Sequence, residues 1–480
     1  MDEKLLKSVY SAEDFRTRGH QLIDELSDYI DRTINEQPSK VLQWNLPENE
    51  LDYWKDFTHS GDHTTLFKNI IQHSTSVHHP KYMGHQISPT APITLLSGMV
   101  SAMLNNGMAV YEMGMASNSI ERIITDLVCK RIGYDKDSSG FLTSGGTLAN
   151  LTALLAARKA RVSDDVWNNG QSKPLGIMVS EEAHYCVERA AKIMGLGEKG
   201  IIKVPATKDF TIDTSLLDSY YQKAKKNGIT VFAIVGSAPS TATGIHDDLE
   251  ALAHFSQKHN LWYHVDAAHG GAAIFSPKYS PVLKGIAQSD SVVIDGHKMM
   301  MMPGITTALL FKDGKNSYTT FSQKADYLLE QSAEQEWYNS GKRTFECTKT
   351  MMCLHWYTLL KTYGESVFDT FVTKVYDLGH EFGNTVLADA EFELAVTPMS
   401  NIVCFRWFDD SMDLATLNHI NQMLRQQLLE EGEFYIVQTK LRGVHYLRTT
   451  IMNPFTTKDH LCQLLEHIKK KASVMVKAIL

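Results

Sequence analysis

Between Gly140 and Phe311 the chain alternates short β-branched runs with helical stretches, and this alternation restricts the fold more than any other feature. Gly176–Ser180, Ile201–Val204, Val231–Val235, Leu261–Val265, Val292–Ile294 and Thr307–Phe311 have the length and composition of buried strands. Leu148–Val162, Tyr185–Met194, Leu216–Asn227 and Leu249–His259 read as helices between them. Strands alternating with helices predict a largely parallel sheet in an α/β domain. In such sheets ligands sit where strands end.

Four polar features recur at those ends. Thr143-Ser-Gly-Gly-Thr-Leu-Ala-Asn150 is a small-residue turn opening a helix, and its N–H groups with Thr147 form an anion cradle. His184, four residues after Ser180, reads either as a ring that stacks on a planar ligand or as a structural histidine. Asp266 ends the apolar run that begins at Leu261, where a carboxylate needs a cationic partner to stay ionised. Ala267, Ala268, Gly270 and Gly271 leave room for one, and a pyridinium N–H meets the need. Finally, Ser291–Ile294 stops at the turn signal Asp295-Gly296 and presents His297 and Lys298. Followed by apolar methionines, Lys298 is expected to have a depressed pKa and to act as an amine nucleophile. Each feature alone has a bland reading as a turn, a core histidine or a surface lysine. In this order within one α/β region they specify pyridoxal 5'-phosphate.

These residues carry a resemblance that covers nearly the whole chain. From the entry helix through His79-Pro80, Ser144–Thr147, Ala183-His184, Val265–Ala268 and His297-Lys298 to Leu447-Arg448 and Asn453-Pro454, the sequence resembles the group II amino-acid decarboxylases. These are fold type I pyridoxal-phosphate enzymes acting on glutamate, sulfinoalanine, diaminobutyrate or aromatic amino acids. The resemblance implies a homodimer with active sites at the subunit interface, built on a mainly parallel seven-stranded-type sheet between helices. It also implies that Lys298 carries the cofactor as a Schiff base, Asp266 binds the pyridine nitrogen and His184 stacks on the ring. Ala268 would pack beneath the ring, with Gly146, Thr147 and His297 holding the phosphate. The family's Asn-Pro-His-Lys is Asp295-Gly-His-Lys here, and a carboxylate at 295 would repel a phosphate. Thr319–Gly341 falls where the family has a mobile loop that closes over the neighbouring subunit's site. Tyr338 matches the loop tyrosine that protonates the product carbanion, with Tyr327 and His184 as further candidates; aldehyde-forming relatives often have phenylalanine there. Lys81, His85, Gln86 and Arg448 are expected near the substrate.

The implied reaction is decarboxylation of an L-amino acid to its amine and carbon dioxide. The methionines after Lys298 resemble the glutamate and sulfinoalanine branch, which points to an acidic substrate (glutamate, aspartate or cysteine sulfinate). A diamino acid such as L-2,4-diaminobutyrate, an aromatic amino acid, and a lyase or aldehyde-forming oxidative decarboxylase remain as alternatives.

The flanking regions complete an expected division into an N-terminal helical arm (1–90), a large cofactor domain (91–365) and a small C-terminal α+β domain (366–480). Ser11 reads as an N-cap for an amphipathic helix carrying Phe15, Leu22, Leu26, Tyr29 and Ile30, which must dock on something. The uncharged, Met-rich stretch Ala91–Ala109 reads as a buried helix, Ser119–Ile132 as a second helix and Cys347–Gly364 as another. A net charge of -8 offers no basic footprint for nucleic acid. Six scattered cysteines without a C-x-x-C pair argue against a zinc site and against a disulfide framework, and suit a reducing compartment. The charged N-terminus lacks a signal peptide's apolar core, and no run approaches the ~18 apolar residues of a spanning helix. A cytoplasmic location is expected, without membrane contact.

Overall fold

The computed structural model describes residues 3–61, 63–321 and 335–479. Tyr327, and with it most of the expected loop between Thr319 and Gly341, lies outside the described residues. Internal packing divides the chain into two compact units: Met1–His85 with Asp389–Glu393 and Phe405–Leu480, and Gln86–Ala388 with Leu394–Cys404.

The second unit holds a seven-stranded sheet. Its strands are β1 (Ser139–Thr143), β2 (Leu175–Ser180), β3 (Ile201–Val204), β4 (Thr230–Ser237), β5 (Trp262–Asp266), β6 (Ser291–Asp295) and β7 (Thr307–Phe311), in the order β1-β7-β6-β5-β4-β2-β3. The pairs β2/β3, β2/β4, β4/β5 and β5/β6 are parallel, while β7 runs antiparallel to both β6 and β1. The sheet is thus the mainly parallel, seven-stranded one expected. β1, β2, β5, β6 and β7 are buried along their whole length, which is why they read as continuous apolar runs rather than alternating ones. The helix Gly146–Arg161 presents Ala149, Ala153 and Ala157 with Leu154 to this surface, beside Phe141, Ile177, Phe232 and Val293. Its alanines let the helix axis lie close to the sheet, so the helix N-terminus reaches the carboxyl ends of the strands.

A second sheet has four strands, with β8 (Phe392–Leu394), β9 (Ile402–Trp407), β10 (Val437–Leu441) and β11 (Val444–Thr450) in the order β10-β11-β9-β8. β10 and β11 form a tight antiparallel hairpin in which Leu441 faces Val444. Its two turn residues, Arg442 and Gly443, both have positive φ (49° and 87°), the backbone a two-residue hairpin requires.

Three helix expectations change. The stretch expected as a buried helix forms Ile93–Leu104, yet only Thr94 and Ser97 are buried. Leu96, Met99, Val100, Met103 and Leu104 are exposed, because the helix packs through its small polar side, where Ser97 Oγ lies 2.9 Å from His355 Nδ1. The helix expected from Ser119 begins at Tyr111 and bends at Gly114. The helix expected from Cys347 begins only at Cys353, since the residues before it are spent on anchoring. Arg343 donates to the Gly140 carbonyl, and the Lys349 ammonium donates to the Leu142 carbonyl (2.6 Å) and Glu121 (2.7 Å). No helix among the described residues is long and apolar enough to cross a membrane.

Candidate active site

The carboxyl ends of β1, β2, β4, β5 and β6 surround a cavity of about 430 Å³ within the second unit. Its lining includes Gly146, Thr147, His184, Asp266, Ala268, His297 and Lys298, so the structure gathers all seven residues expected to meet the cofactor. Among the described residues no group of three metal-ligating side chains occurs anywhere in the chain.

The helix N-terminus forms one wall. Gly145 has φ of +104°, a conformation that L side chains rarely adopt, and it turns the chain from β1 into the helix. A β-carbon on Gly146 would stand 3.2 Å from both Asp295 carboxylate oxygens and 3.6 Å from Ala268 Cβ. Glycine there keeps the backbone close to the cavity floor. Glu346, not foreseen in the sequence, borders this wall. Its Oε1 accepts from the Thr143 hydroxyl (2.7 Å), the Ser144 hydroxyl (2.8 Å) and the Ser144 N–H (3.2 Å). Burial opposes its charge, but those donors outweigh it and hold the carboxyl below its usual range.

His184 caps the helix Tyr185–Ile193, and its Nδ1 accepts the Cys186 N–H at 3.3 Å, which fixes the ring against the cavity. Burial favours the neutral ring and lowers its pKa, with Asp266 pulling the other way.

Two buried carboxylates end adjacent strands. Asp266 closes β5; its Oδ1 accepts the Ala268 N–H at 3.2 Å and its Oδ2 accepts the Asn150 amide at 3.2 Å. Burial raises its carboxyl above the ordinary range, opposed by Lys298 and His184. Asp295 closes β6; its Oδ1 accepts the Thr307 hydroxyl at 2.6 Å and its Oδ2 lies 2.9 Å from Lys298 Nζ. The reversed strand β7 makes this possible, because Thr307 begins β7 opposite Asp295.

The expected depression of the Lys298 pKa is overturned. Burial does work against the ammonium, but Asp295, one helical turn before it, and Asp266 together raise its pKa above the ordinary lysine value. His297 turns its Nδ1 to the Thr306 carbonyl at 3.1 Å.

Other expected residues do not line the cavity. Tyr338 is half-buried with its ring 5.7 Å from that of Tyr111 and 5.6 Å from that of Trp337. His85 lies with its ring 5.9 Å from that of Tyr435, and Arg448 reaches Thr450 Oγ1 at 3.5 Å, both within the first unit. Gln86 is half-buried outside the lining, and Lys81 pairs with Glu433 at 3.0 Å. Asn150, Cys186, Arg189 and Asp295 do line the cavity, although the sequence marked none of them as a ligand-contacting group.

The residues present fit pyridoxal phosphate: an amine for its aldehyde, an acid for its ring nitrogen, a small-residue floor and a helix N-terminus for its phosphate. Comparison with known proteins agrees. The pattern of the family described as "Pyridoxal-dependent decarboxylase conserved domain" matches residues 45–408. An aromatic-L-amino-acid decarboxylase of Bacillus atrophaeus is 24% identical over 96% of both chains. An aspartate 1-decarboxylase of Aliivibrio fischeri is 26% identical over 94% of this chain and 90% of its own. In three dimensions, the glutamate decarboxylase domain of a diaminobutyrate-pyruvate transaminase and L-2,4-diaminobutyrate decarboxylase from Vibrio parahaemolyticus superposes with a TM-score of 0.84. It shares 24% identity and covers 98% of this chain and 100% of its own. The cavity's donors and the match over most of the sequence converge, and this chain belongs to the pyridoxal-dependent decarboxylases.

Proposed function

We propose that the protein decarboxylates an acidic L-amino acid, with Lys298 holding pyridoxal phosphate as a Schiff base. The observation that carries the substrate class is the charge left in the cavity. Asp295 is paired with Lys298, and Asp266 serves the ring nitrogen, so no carboxylate in the lining remains for a second amino group. Arg189 lines the cavity with its guanidinium over the Tyr185 ring, and it suits a second carboxylate. A diamino acid is the rival reading, supported by the L-2,4-diaminobutyrate decarboxylase of Acinetobacter baumannii, 26% identical over 86% of this chain.

Bound in this cavity, pyridoxal phosphate supplies an electron sink for the pair left when carbon dioxide departs. The chain's own groups do the rest. Asp266 keeps the ring nitrogen protonated, and His184 covers the ring face. Gly146 and Thr147 would offer N–H groups to the phosphate, with His297 beside them, and Ala268 would pack beneath the ring. Lys298 would hold the cofactor between turnovers. Asp295, 2.9 Å from Lys298 Nζ, would serve as the counterion of the lysine rather than as a phosphate contact. Tyr338 or His184 returns a proton to the substrate carbon. Tyr338 stands outside this lining, which suits service to the site of a second subunit, where His85, Gln86 and Arg448 would meet the substrate.

That arrangement requires a homodimer. The exposed apolar side of Ile93–Leu104 supports one, as does the N-terminal helix Ala12–Ile34, of which only Thr33 is buried. All six cysteines are free thiols, which suits a cytoplasmic location.

The test is to incubate the cofactor-loaded protein with the twenty amino acids, cysteine sulfinate and 2,4-diaminobutyrate while measuring carbon dioxide, amine, ammonia and peroxide. Amine from aspartate, glutamate or cysteine sulfinate is expected. Amine from 2,4-diaminobutyrate alone would transfer the substrate assignment to the rival, and ammonia with peroxide would replace the reaction itself. Sedimentation should give a dimer; a fully active monomer would refute the shared site.

A further inference from the structure

Behind Asp266 lies a buried chain of side chains that the reaction does not touch. Strand periodicity places Trp262, His264 and Asp266 on one face of β5. On the next strand Ser291 pairs with His264, and Asn150 comes from the helix above. Trp262 Nε1 lies 2.9 Å from Ser291 Oγ, which lies 2.8 Å from His264 Nδ1. His264 Nε2 lies 2.8 Å from Asn150 Oδ1, and Asn150 Nδ2 lies 3.2 Å from Asp266 Oδ2. Trp262, His264, Ser291 and Asn150 are all within 1% of complete burial.

The direction of every bond is fixed by chemistry. Asn150 Nδ2 faces two acceptors, Asp266 Oδ2 and the Gly146 carbonyl at 2.9 Å, so the amide cannot be turned round without two repulsive contacts. Its Oδ1 therefore faces His264, and Nε2 must carry the imidazole's proton. Burial holds that ring neutral, its pKa pushed down to about 3, so Nδ1 has only a lone pair. Ser291 must give its hydroxyl proton to Nδ1 and accept from the indole, which can only donate.

We propose that His264 is a positioning residue for Asp266: through Asn150 it holds the Asp266 carboxylate ionised and aimed at the cofactor's ring nitrogen. This inference rests on the pairing of Asp266 with that nitrogen described above. Without the His264 N–H, the buried Asn150 Oδ1 is left without its donor, and the amide is drawn off its contact with Asp266.

Because the relay acts only through the ring nitrogen, two ligands separate it from general packing. The apoprotein is titrated with pyridoxal phosphate and with its carbon analogue, in which C–H replaces the ring nitrogen. His264→Phe should weaken pyridoxal phosphate by about tenfold or more and leave the analogue within about twofold. His264→Gln, which can place an amide N–H where Nε2 stood, should recover most of the loss. In an Asp266→Asn background, His264→Phe should add nothing. If the phenylalanine variant fails to fold, Ser291→Ala provides the same comparison with a smaller expected shift. Equal weakening of both ligands, or none, overturns the relay while the functional reading stands. Wild-type protein that binds both ligands equally overturns the Asp266–nitrogen pairing, and the relay falls with it.

Discussion

Asp266 and Asp295 end neighbouring strands and flank the same lysine, yet the chain prepares them differently. Asp295 has its cation inside the chain, with Lys298 Nζ at 2.9 Å and the Thr307 hydroxyl on its other oxygen. Asp266 is held by neutral donors, Asn150 and the Ala268 N–H, backed by His264, Ser291 and Trp262. Two buried acids of one sign would be costly side by side unless each had a separate answer. Asp295 is answered at folding; Asp266 keeps a raised carboxyl whose charge is fully favoured only when a cation arrives from outside. The same residue type thus serves as a lysine's counterion at one strand end and, on the proposed function, as a ligand's at the next.

That contrast can be broken by experiment. The largest effect is expected from Lys298→Ala, which should abolish carbon dioxide release and cost the apoprotein about 3 kcal/mol in chemical denaturation by stranding Asp295. Full apoprotein stability in this variant would mean that Asp295 does not depend on the lysine. Asp266→Asn should lower turnover about 100-fold while leaving the apoprotein's melting nearly unchanged, since no ion pair within the chain is lost. Asp295→Asn should do the reverse, lowering apoprotein stability by about 1–2 kcal/mol and turnover only about tenfold. Equal turnover losses in the two asparagine variants would erase the distinction.

Acid should expose the neutral support of Asp266. Burial pushes His264 and His246 each down to about 3 from 6.5. The unfolded chain takes up protons that these folded rings refuse. Their contribution is therefore complete above pH 6.5 and is lost as pH falls toward 3, at about 1.4 kcal/mol per pH unit for each ring. Melting temperatures of the apoprotein should drop across that window, and His264→Gln should flatten the slope. The smallest effect is expected at Glu346, where Glu346→Gln removes a negative charge from beside the phosphate end of the cavity. Cofactor affinity should rise a few-fold, as read by fluorescence titration.

The parts of the site that were legible share one property: each lies beside the end of its own strand in sequence. Gly146, His184, Asp266 and Lys298 follow β1, β2, β5 and β6 or end them, so finding the strands found the residues. What escaped depends on contacts that no local pattern carries. Asn150 meets Asp266 across 116 positions, and Glu346 meets Ser144 across 202. Asp295 was close enough to see, but its effect on Lys298 needs the single helical turn Gly296–Met299, which the sequence presents only as a strand followed by a glycine turn. The helix Ile93–Leu104 misled for another reason. Apolar content reports that a surface avoids water, and the partner it avoids water with can be another molecule as readily as the chain's own interior.

The direction of the strands has a practical consequence for altering this protein. Every turn leading into β3, β4 and β5 lies at the sheet edge opposite the cavity, including Gly195-Leu196-Gly197, Asn227-Gly228 and Asn260. At Gly195, Gly197 and Gly228 no atom stands within 4 Å of where a side chain would begin, but their positive φ (80°, 63° and 74°) disfavours substitution, so added residues belong between these glycines rather than in place of them. These turns are the natural ports for a reporter, a tether or a purification handle. The turns at the other edge, short and crowded with ligand-facing groups, leave nowhere to put one.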